Sequence, residues 1–315
     1  MKVLVTGGAG FIGSNVVDAV LDAGHDVAII DNLSTGLREN INPKATFYEM
    51  SICDRAIKDV FEKERPDIVD HHAAQMDVRK SVEDPMFDAG ENILGSLNII
   101  MNSLKHDVKK IVYASTGGAV YGEAEYLPAD ENHPVNPMCQ YGVSKHTVEH
   151  YLYLYSRLYG LPYVALRYPN VYGPRQNPQG EAGVVAIFTG QLLNNEQPVI
   201  FGDGSKTRDY TYVGDIVAAN LLAIEKGNNK IYNIGTGIGT SDQQVYDTIA
   251  NALNSPVRPA YEPVRKGEIH HIALAADLAK KELGWEPMIA FKEGIDKTVK
   301  YFVDRLERTK GDSNG

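Results

Sequence analysis

The chain has 315 residues, 43% of them hydrophobic and 23% charged, which predicts one large globular domain or two fused ones. Its formal net charge is −10, so nucleic acid and anionic membrane are not expected as its main partners. The two cysteines, Cys53 and Cys139, have no CxxC or Cys/His metal spacing. We therefore expect free thiols in a cytoplasmic protein and no metal site. The apolar run that begins at Val3 is too short for a secretory signal or a membrane span.

Short apolar runs alternate with helical patterns through the first half of the chain. In chain order, the pattern predicts strands at residues 2–6, 26–30, 46–50, 67–71 and 109–114, and helices at 11–23, 54–64, 87–105 and 141–159. Strands that alternate with helices indicate right-handed βαβ units and a parallel sheet. The nearly continuous apolar strands indicate a sheet that helices cover on both faces.

The pattern changes after about residue 170, where loop signals become dense and the elements become shorter. We therefore predict an α/β fold with a doubly wound parallel sheet of the Rossmann type. Residues 1–170 would form this dinucleotide-binding domain, and residues 171–315 a smaller α/β substrate-binding part. Some segments of the second part would return to the large sheet.

A glycine-rich loop at residues 6–13 joins the first strand to the first helix. Gly7 permits a tight turn, Gly10 lets a pyrophosphate approach the backbone, and Gly13 lets the helix pack closely on the sheet. Asp31 ends the second predicted strand, where a carboxylate can bind the adenosine ribose hydroxyls and would repel a 2′-phosphate. The sequence therefore predicts bound NAD rather than NADP.

Tyr141 and Lys145 are four residues apart on one face of a predicted helix. A tyrosine titrates near 10, and a neighbouring ammonium lowers its pKa, so the pair is a candidate general base for a hydroxyl group. A hydroxyl partner is expected at the end of the fifth predicted strand, where Ser115 and Thr116 lie.

These motifs together resemble the extended short-chain dehydrogenase/reductase family, and within it the UDP-glucose (UDP-galactose) 4-epimerases. The resemblance covers nearly the whole chain. Beyond the glycine loop and the Tyr141/Lys145 pair, it is carried by the segments 31–33, 72–75, 120–122, 167–175, 202–204, 208–210 and 265–268, and by Asn92.

The resemblance implies a reaction and the residues that perform it. Tyr141 would deprotonate the sugar 4-hydroxyl while C4 gives its hydride to NAD, and C4 would be inverted when the hydride returns to the opposite face. Lys145 would lower the pKa of Tyr141 and bind the nicotinamide ribose. The implied cofactor-binding residues are Gly7, Gly10, Phe11, Ile12, Gly13, Asp31, Asn32, Ser34, Thr35, Gly36, Ser51, Ile52, Ala73, Ala74, Gln75, Asn92, Ser115, Tyr141, Lys145 and Tyr168. The implied UDP-binding residues are Asn170, Val184, Val185, Phe201, Arg208, Arg265 and Glu268.

The chain departs from the family pattern after the fifth strand. Gly117 occupies the usual position of the catalytic hydroxyl, so we expect Thr116, rather than Ser115, to reach the 4-hydroxyl. Nucleotide-sugar dehydratases carry acidic residues where this chain has Gly118 and Ala119. The stretch therefore favours an epimerase, with another UDP-sugar epimerase or an NAD-dependent dehydratase or lyase as the alternatives.

Three further features concern sugar size, metal binding and assembly. In the family, a residue four positions after Glu268 narrows the sugar pocket, so Ile272 predicts a preference for free hexose over N-acetylhexosamine. His71 and His72 are adjacent on a strand, where side chains point to opposite faces, so we expect structural histidines. The apolar helix stripe, Tyr151, Leu154, Tyr155, Leu158 and Tyr159, indicates packing or an interface, and the resemblance implies a homodimer.

Overall fold

A seven-stranded parallel sheet forms the centre of the molecule. The computed structural model describes residues 1–178, 183–264 and 269–312, and for 309–312 the backbone alone. The strands are β1 (Lys2–Thr6), β2 (Asp26–Asp31), β3 (Thr46–Glu49), β4 (Ile68–His71), β5 (Lys110–Thr116), β6 (Tyr163–Tyr168), β7 (Asn170–Tyr172), β8 (Val199–Phe201), β9 (Thr207–Tyr212), β10 (Lys230–Asn233), β11 (Gly239–Ser241) and β12 (Ala260–Glu262). The large sheet has the order β10-β6-β5-β4-β1-β2-β3, and its strand pairs are parallel. Two small sheets, β11-β9-β7 and β12-β8, belong to the second half of the chain.

Helices cover both faces of the large sheet, as the sequence predicts. The helices of the whole described chain are α1 (Phe11–Asp22), α2 (Ile57–Glu64), α3 (Val78–Glu83), α4 (Pro85–Ala89), α5 (Ser96–Lys105), α6 (Gly117–Val120), α7 (Gln140–Tyr159), α8 (Val184–Leu193), α9 (Val213–Glu225), α10 (Asp242–Leu253), α11 (Asp277–Glu282) and α12 (Phe291–Asp312), of which α8, α10 and α12 pack in the second half. Among the described residues, no helix is long and apolar enough to span a membrane.

The two faces of the sheet carry separate hydrophobic cores. Side chains alternate along β1, so Val3 and Val5 pack under α1 and α9, whereas Leu4 packs with α2, α5 and α7 on the other face. All three are fully buried. This burial on both faces explains why the strands read as continuous apolar runs.

The predicted helix at residues 87–105 is interrupted. The structure has the short helix α4, a π-helical turn (Gly90–Gly95) and then α5. Asp84 accepts a hydrogen bond from the backbone N–H of Phe87 and so starts α4 independently. At Gly95 an added Cβ would lie 2.6 Å from Ile52, so this turn approaches the adjoining chain more closely than a regular residue would allow. Strand β6 was not identified from the sequence.

The order of strands reverses beside β1, because β2 follows on one side and β4 lies on the other. In open parallel sheets a crevice forms at this point, outside the carboxyl ends of the strands. The glycine loop, Asp31 and the end of β5 all lie at that edge. The fold therefore places the predicted site residues, although they are far apart in sequence, around one crevice.

The close packing of α1 on the sheet gives a stability prediction. An added Cβ at Gly13 would lie 2.2 Å from the carbonyl oxygen of Gly7, and backbone cannot move aside as a side chain can. We expect Gly13→Ala to lower the free energy of unfolding by about 1–3 kcal/mol, measured by denaturant titration. Gly90→Ala is the matched control, because an added Cβ there meets nothing within 4 Å. Equal stabilities of the two variants would contradict this account of Gly13.

Candidate active site

A cleft of about 1190 Å³ follows the carboxyl edge of the large sheet and continues into the second half of the chain. Its volume exceeds the range of about 300–1,000 Å³ that is typical of one drug-sized ligand. Residues of the glycine loop line one end, and residues of α8, β8 and β9 line the other. The cleft can therefore hold two ligands, or one ligand beside a cofactor.

The glycine loop forms a cradle for an anion. Gly7 has a φ of 72°, and an added Cβ there would lie 2.7 Å from the backbone nitrogen of Ala73. Helix α1 begins after Gly10, and in the described chain no side chain caps it and no acid lies in its first turn. Its first backbone N–H groups are therefore left for a ligand, and a phosphate suits them because the N-terminus of a helix carries a partial positive charge.

Asp31 lies 7% exposed at the end of β2, in the wall of the cleft. Its carboxylate accepts hydrogen bonds from the backbone N–H groups of Ala9, at 2.9 Å, and Leu33, at 2.8 Å. Burial raises the pKa of Asp31, while these two hydrogen bonds oppose the rise. The fixed carboxylate keeps lone pairs for further donors, which fits a pair of ribose hydroxyls.

The cleft brings together most of the residues that the sequence predicts for the site. Those that line it are Gly7, Gly10, Phe11, Ile12, Gly13, Asp31, Asn32, Ser34, Thr35, Ile52, Ala73, Ala74, Ser115, Thr116, Tyr141, Lys145, Tyr168, Asn170, Val184, Phe201 and Arg208. Arg265 and Glu268 lie outside the described residues.

Five predicted ligand contacts do not line the cleft. Gly36 lies behind Asp31, where an added Cβ would be 2.9 Å from the carboxylate. Ser51 accepts a hydrogen bond from the backbone N–H of Cys53 through its hydroxyl oxygen. Val185 is 1% exposed and packs inside the core of the second half. Gln75 and Asn92 bond to each other.

A buried polar network joins the loop after β4 to α7. Asn92 accepts from the backbone N–H of Gln75 at 2.9 Å and donates to the Gln75 carbonyl and to Asp88. The other oxygen of Asp88 accepts from Ser144, at 2.6 Å, next to Lys145 in the chain. Asp88 is fully buried and was not identified from the sequence, where it is one acid among many. Asn92 and Gln75 thus hold the loop in place.

Lys145 is a buried lysine in the wall of the cleft. It is 3% exposed, and its Nζ lies 4.4 Å from the ring centre of Tyr113. Burial lowers the pKa of Lys145 to about 7, while the charges of Glu149 and Asp88 act to raise it. Groups in a cleft whose pKa is shifted strongly mark candidate functional sites. Lys145 and Tyr141, one helical turn away, therefore fit a catalytic pair. Tyr113 was missed because an aromatic residue in a core strand carries no distinguishing signal.

The two candidate hydroxyls at the end of β5 have different surroundings. The Ser115 hydroxyl donates to Glu149 at 2.6 Å. Arg167 binds the same carboxylate through two of its nitrogens, at 2.9 and 2.6 Å. Burial alone would raise the pKa of Glu149, but the Arg167 hydrogen bonds bring it to about 2. Ser115 is therefore held in an ionic network, which leaves Thr116 as the better candidate to contact a substrate.

The second half of the chain supplies cationic and amide groups. The Arg208 guanidinium donates to the carbonyls of Thr207 at 3.0 Å and Ile269 at 2.6 Å, which orients it along the cleft. Lys206 also lines the cleft, and the sequence did not reveal it. Gln176 and Gln191 line it as well, and their buried Oε1 atoms have no hydrogen-bond partner among the described residues. Buried polar atoms are nearly always paired, so these amides fit a polar ligand.

Ile272 does not lie where the sequence places it. The side chain is 2% exposed and packs against Val120, Tyr121, Ala129 and Leu274, away from the cleft lining. The backbone fixes this direction, because the N–H of Ile272 donates to the Thr207 carbonyl. The structure therefore places Ile272 outside the lining of the cleft, and the preference for free hexose stays a prediction that this side chain does not support.

The histidines at the end of β4 point to opposite faces, as predicted. His71 contacts Thr6 at 2.6 Å and Ser96 at 2.9 Å. His72 lines the cleft, and its Nε2 lies 2.9 Å from the fully buried carboxylate of Asp70. In the described parts of the chain, no three metal-ligating side chains converge.

Fold and site together define a dinucleotide-dependent enzyme with a Tyr/Lys pair. The chain belongs to the NAD dependent epimerase/dehydratase family, whose model matches residues 3–235. It is similar to a putative UDP-glucose 4-epimerase of Methanocaldococcus jannaschii, with 50% identity over 95% of this chain and 97% of that protein.

Solved structures give the same result. The chain is similar to a UDP-glucose 4-epimerase of Thermotoga maritima with UDP-glucose, at 49% identity, a TM-score of 0.96, and coverage of 97% of this chain and 100% of that one. A Thermus thermophilus UDP-glucose 4-epimerase in complex with NAD gives 43% identity, a TM-score of 0.92, and coverage of 96% and 99%. These comparisons confirm the family that the motifs indicate.

The carboxylate of Asp31 gives a prediction on cofactor choice. We expect Asp31→Asn to weaken NAD binding by roughly ten- to a hundredfold, because a hydrogen bond to a charged group contributes about 1.5–3 kcal/mol. Discrimination against NADP should relax at the same time, since the negative charge is gone. Calorimetric titration of both dinucleotides measures this. Asp26→Asn, at the exposed opposite end of β2, is the control, and an unchanged NAD affinity in Asp31→Asn would refute the assignment.

Proposed function

We propose that this protein interconverts UDP-glucose and UDP-galactose by transient oxidation at C4 of the hexose. The observation that carries the proposal is the position of the Tyr141/Lys145 pair. The pair lines the same cleft as the anion cradle of α1 and Arg208. The similarity to UDP-glucose 4-epimerases over nearly the whole chain supports the choice of substrate.

The residues of the cleft suit NAD. The backbone cradle at Gly7 and Gly13 would hold the pyrophosphate, and Asp31 the adenosine ribose. Burial of Lys145 near the ends of β5 and β6 suits contact with the nicotinamide ribose. NAD, when bound, supplies a hydride acceptor that can also return the hydride.

The chain itself supplies the proton transfer. Tyr141 takes the proton of the sugar 4-hydroxyl and later returns it to the oxygen at C4. The Lys145 ammonium favours the phenolate form of Tyr141, because an opposite charge nearby lowers the pKa of an acid. Thr116 hydrogen bonds the same hydroxyl, and Arg208 and Lys206 bind the diphosphate oxygens. One residue can serve both directions, so no second acid is needed.

A dehydratase or lyase fits the site less well. Elimination needs a further proton donor, and the positions that supply it in relatives of that kind are Gly118 and Ala119 here. Both lie in the wall of the cleft, and neither side chain can exchange a proton. This observation separates the epimerase from the dehydratases to which the fold is also similar.

The two halves of the chain have different proposed ligands. We propose that residues 1–170 bind NAD and that residues 171–315 mainly bind the nucleotide sugar. β10 joins the large sheet beside β6. Arg208 and Phe201 line the end of the cleft formed by the second part.

We also propose a cytoplasmic homodimer. Leu154 and Leu158 of α7 are 43% and 61% exposed, and Met101 of α5 is 57% exposed. Tyr151 and Tyr155 instead pack partly against the core of the chain itself. Exposed apolar side chains on two neighbouring helices fit a helical subunit interface. Cys53 and Cys139 are both free, which suits a reducing compartment.

The first test is incubation of the purified protein with UDP-galactose and no reductant. We expect UDP-glucose to form with no net NADH, because the hydride returns to the same sugar. Tyr141→Phe should lower kcat by at least about a hundredfold, the usual contribution of a general base. Product separation measures both. Conversion of UDP-N-acetylglucosamine alone would instead assign the alternative substrate, and conversion of neither would reject the proposal.

The two hydroxyls of β5 can be separated by a matched pair of variants. Thr116→Val should lower kcat by roughly a hundredfold and leave the unfolding midpoint unchanged, because it removes a hydrogen bond to the reacting hydroxyl. Ser115→Ala should lower the free energy of unfolding by about 1.5–3 kcal/mol and keep kcat near the original value, because it removes one hydrogen bond to the charged carboxylate of Glu149. The reverse pattern would assign catalysis to Ser115.

A further inference from the structure

Two histidines on α7 take no part in the proposed reaction. His146 and His150 are one helical turn apart, and their Nε2 atoms lie 3.0 Å from each other. Their rings meet at 71°, with centres 4.5 Å apart. We propose that His146 and His150 form a chelating site for a divalent transition-metal ion such as Zn²⁺ or Ni²⁺. Histidines at i and i+4 on one helix face are a recurrent metal-binding pair.

Glu149 orients the first ligand. Its Oε2 atom lies 2.9 Å from Nδ1 of His146. The carboxylate is ionised, because Arg167 binds it directly, so the Nδ1 atom of His146 carries the hydrogen. The Nε2 atom of a neutral His146 then has its lone pair free, and this atom faces His150. Metal-binding histidines commonly donate their second N–H to a carboxylate in this way, which fixes the ring and makes it a better ligand.

The spacing fits one ion between the two rings. Zn–N distances are about 2.0–2.1 Å, so two nitrogens 3.0 Å apart subtend an angle of about 90° at a shared ion. This angle suits square-planar or octahedral Ni²⁺ or Cu²⁺, and a small outward rotation of the exposed His150 opens it for tetrahedral Zn²⁺. Water completes the coordination, since the described residues bring no third ligand to the pair.

Binding of the ion to the two neutral imidazoles releases no proton. In the metal-free protein one hydrogen lies between the two Nε2 atoms, and His150 is its donor because Nε2 of His146 is the acceptor. When the ion binds, His150 changes tautomer and carries its hydrogen on Nδ1. Both imidazoles stay neutral and both Nε2 lone pairs reach the ion.

The proposed metal site is adjacent in α7 to the Tyr141/Lys145 pair. His146 follows Lys145 directly, and its partner Glu149 also accepts from Ser115. An ion that bridges residues 146 and 150 stabilises this turn of α7. Because the unfolded chain does not hold the two rings together, the ion favours the folded state. This inference does not depend on the proposed function.

The test uses the full chain, without a polyhistidine tag, stripped with a chelator and dialysed. Titration with ZnCl₂, and separately with NiCl₂, is followed by calorimetry and by thermal unfolding. We expect one saturable site and a rise in Tm in the unaltered protein. His150→Gln should weaken binding by at least about tenfold and abolish the rise in Tm. The metal-free Tm of this variant is measured beside that of the unaltered protein, because His150 lies one turn before Leu154 on the helix face proposed for the subunit interface.

His25→Gln is the matched control, because His25 lies before β2, away from α7, and should leave binding unchanged. Equal binding by the unaltered protein and His150→Gln would overturn the proposal, as would no saturable binding at all. A loss in His25→Gln with none in His150→Gln would assign the ion elsewhere and overturn it too. Epimerase activity is not needed as a readout, so failure here is distinct from failure of the proposed function.

Discussion

The buried ion pair between Glu149 and Arg167 holds α7, the helix of the Tyr141/Lys145 pair, to the sheet. Glu149 belongs to α7 and Arg167 to β6, and both are at most 3% exposed. A carboxylate without its partner would be unstable at this depth, so the two elements must pack in one register. Ser115 of β5 joins the same carboxylate. One interaction therefore fixes α7, β5 and β6, the three elements that carry Tyr141, Thr116 and the wall beside them.

The ion pair between Glu149 and Arg167 also determines which charged groups beside the cleft remain unpaired. Glu149 is neutralised by Arg167, and Asp88 is occupied by Asn92 and Ser144. Neither acid forms an ion pair with Lys145 in the described structure, so burial dominates and the pKa of Lys145 falls to about 7. A lysine at a surface would keep its charge well above this pH. The protonation of Lys145 near neutral pH therefore depends strongly on the charges of neighbouring groups. This property suits a group that assists proton transfer.

The sequence predicts the sheet and the glycine-loop end of the cleft, because both depend on local patterns. Gly7, Gly13 and Asp31 are set by backbone approach and strand order, which spacing reveals. The interruption at Gly90–Gly95 was missed because an apolar helical pattern continues through it. Asp88, Tyr113, Lys206 and Gln191 were missed for a different reason. Their roles come from neighbours distant in the chain, and no local pattern marks such neighbours.

Ile272 shows where a family pattern stops being informative. The number of residues between Glu268 and Ile272 can be read from the sequence. The direction of the Ile272 side chain instead depends on how the segment around it pairs with other parts of the chain. The Thr207 and Ala129 carbonyls accept from the backbone N–H groups of Ile272 and Ala275, which holds the segment and turns Ile272 into the cluster around Tyr121. A larger residue there would press on that cluster before it reached the cleft. The small residues Gly118 and Ala119, by contrast, line the cleft and leave room on that wall.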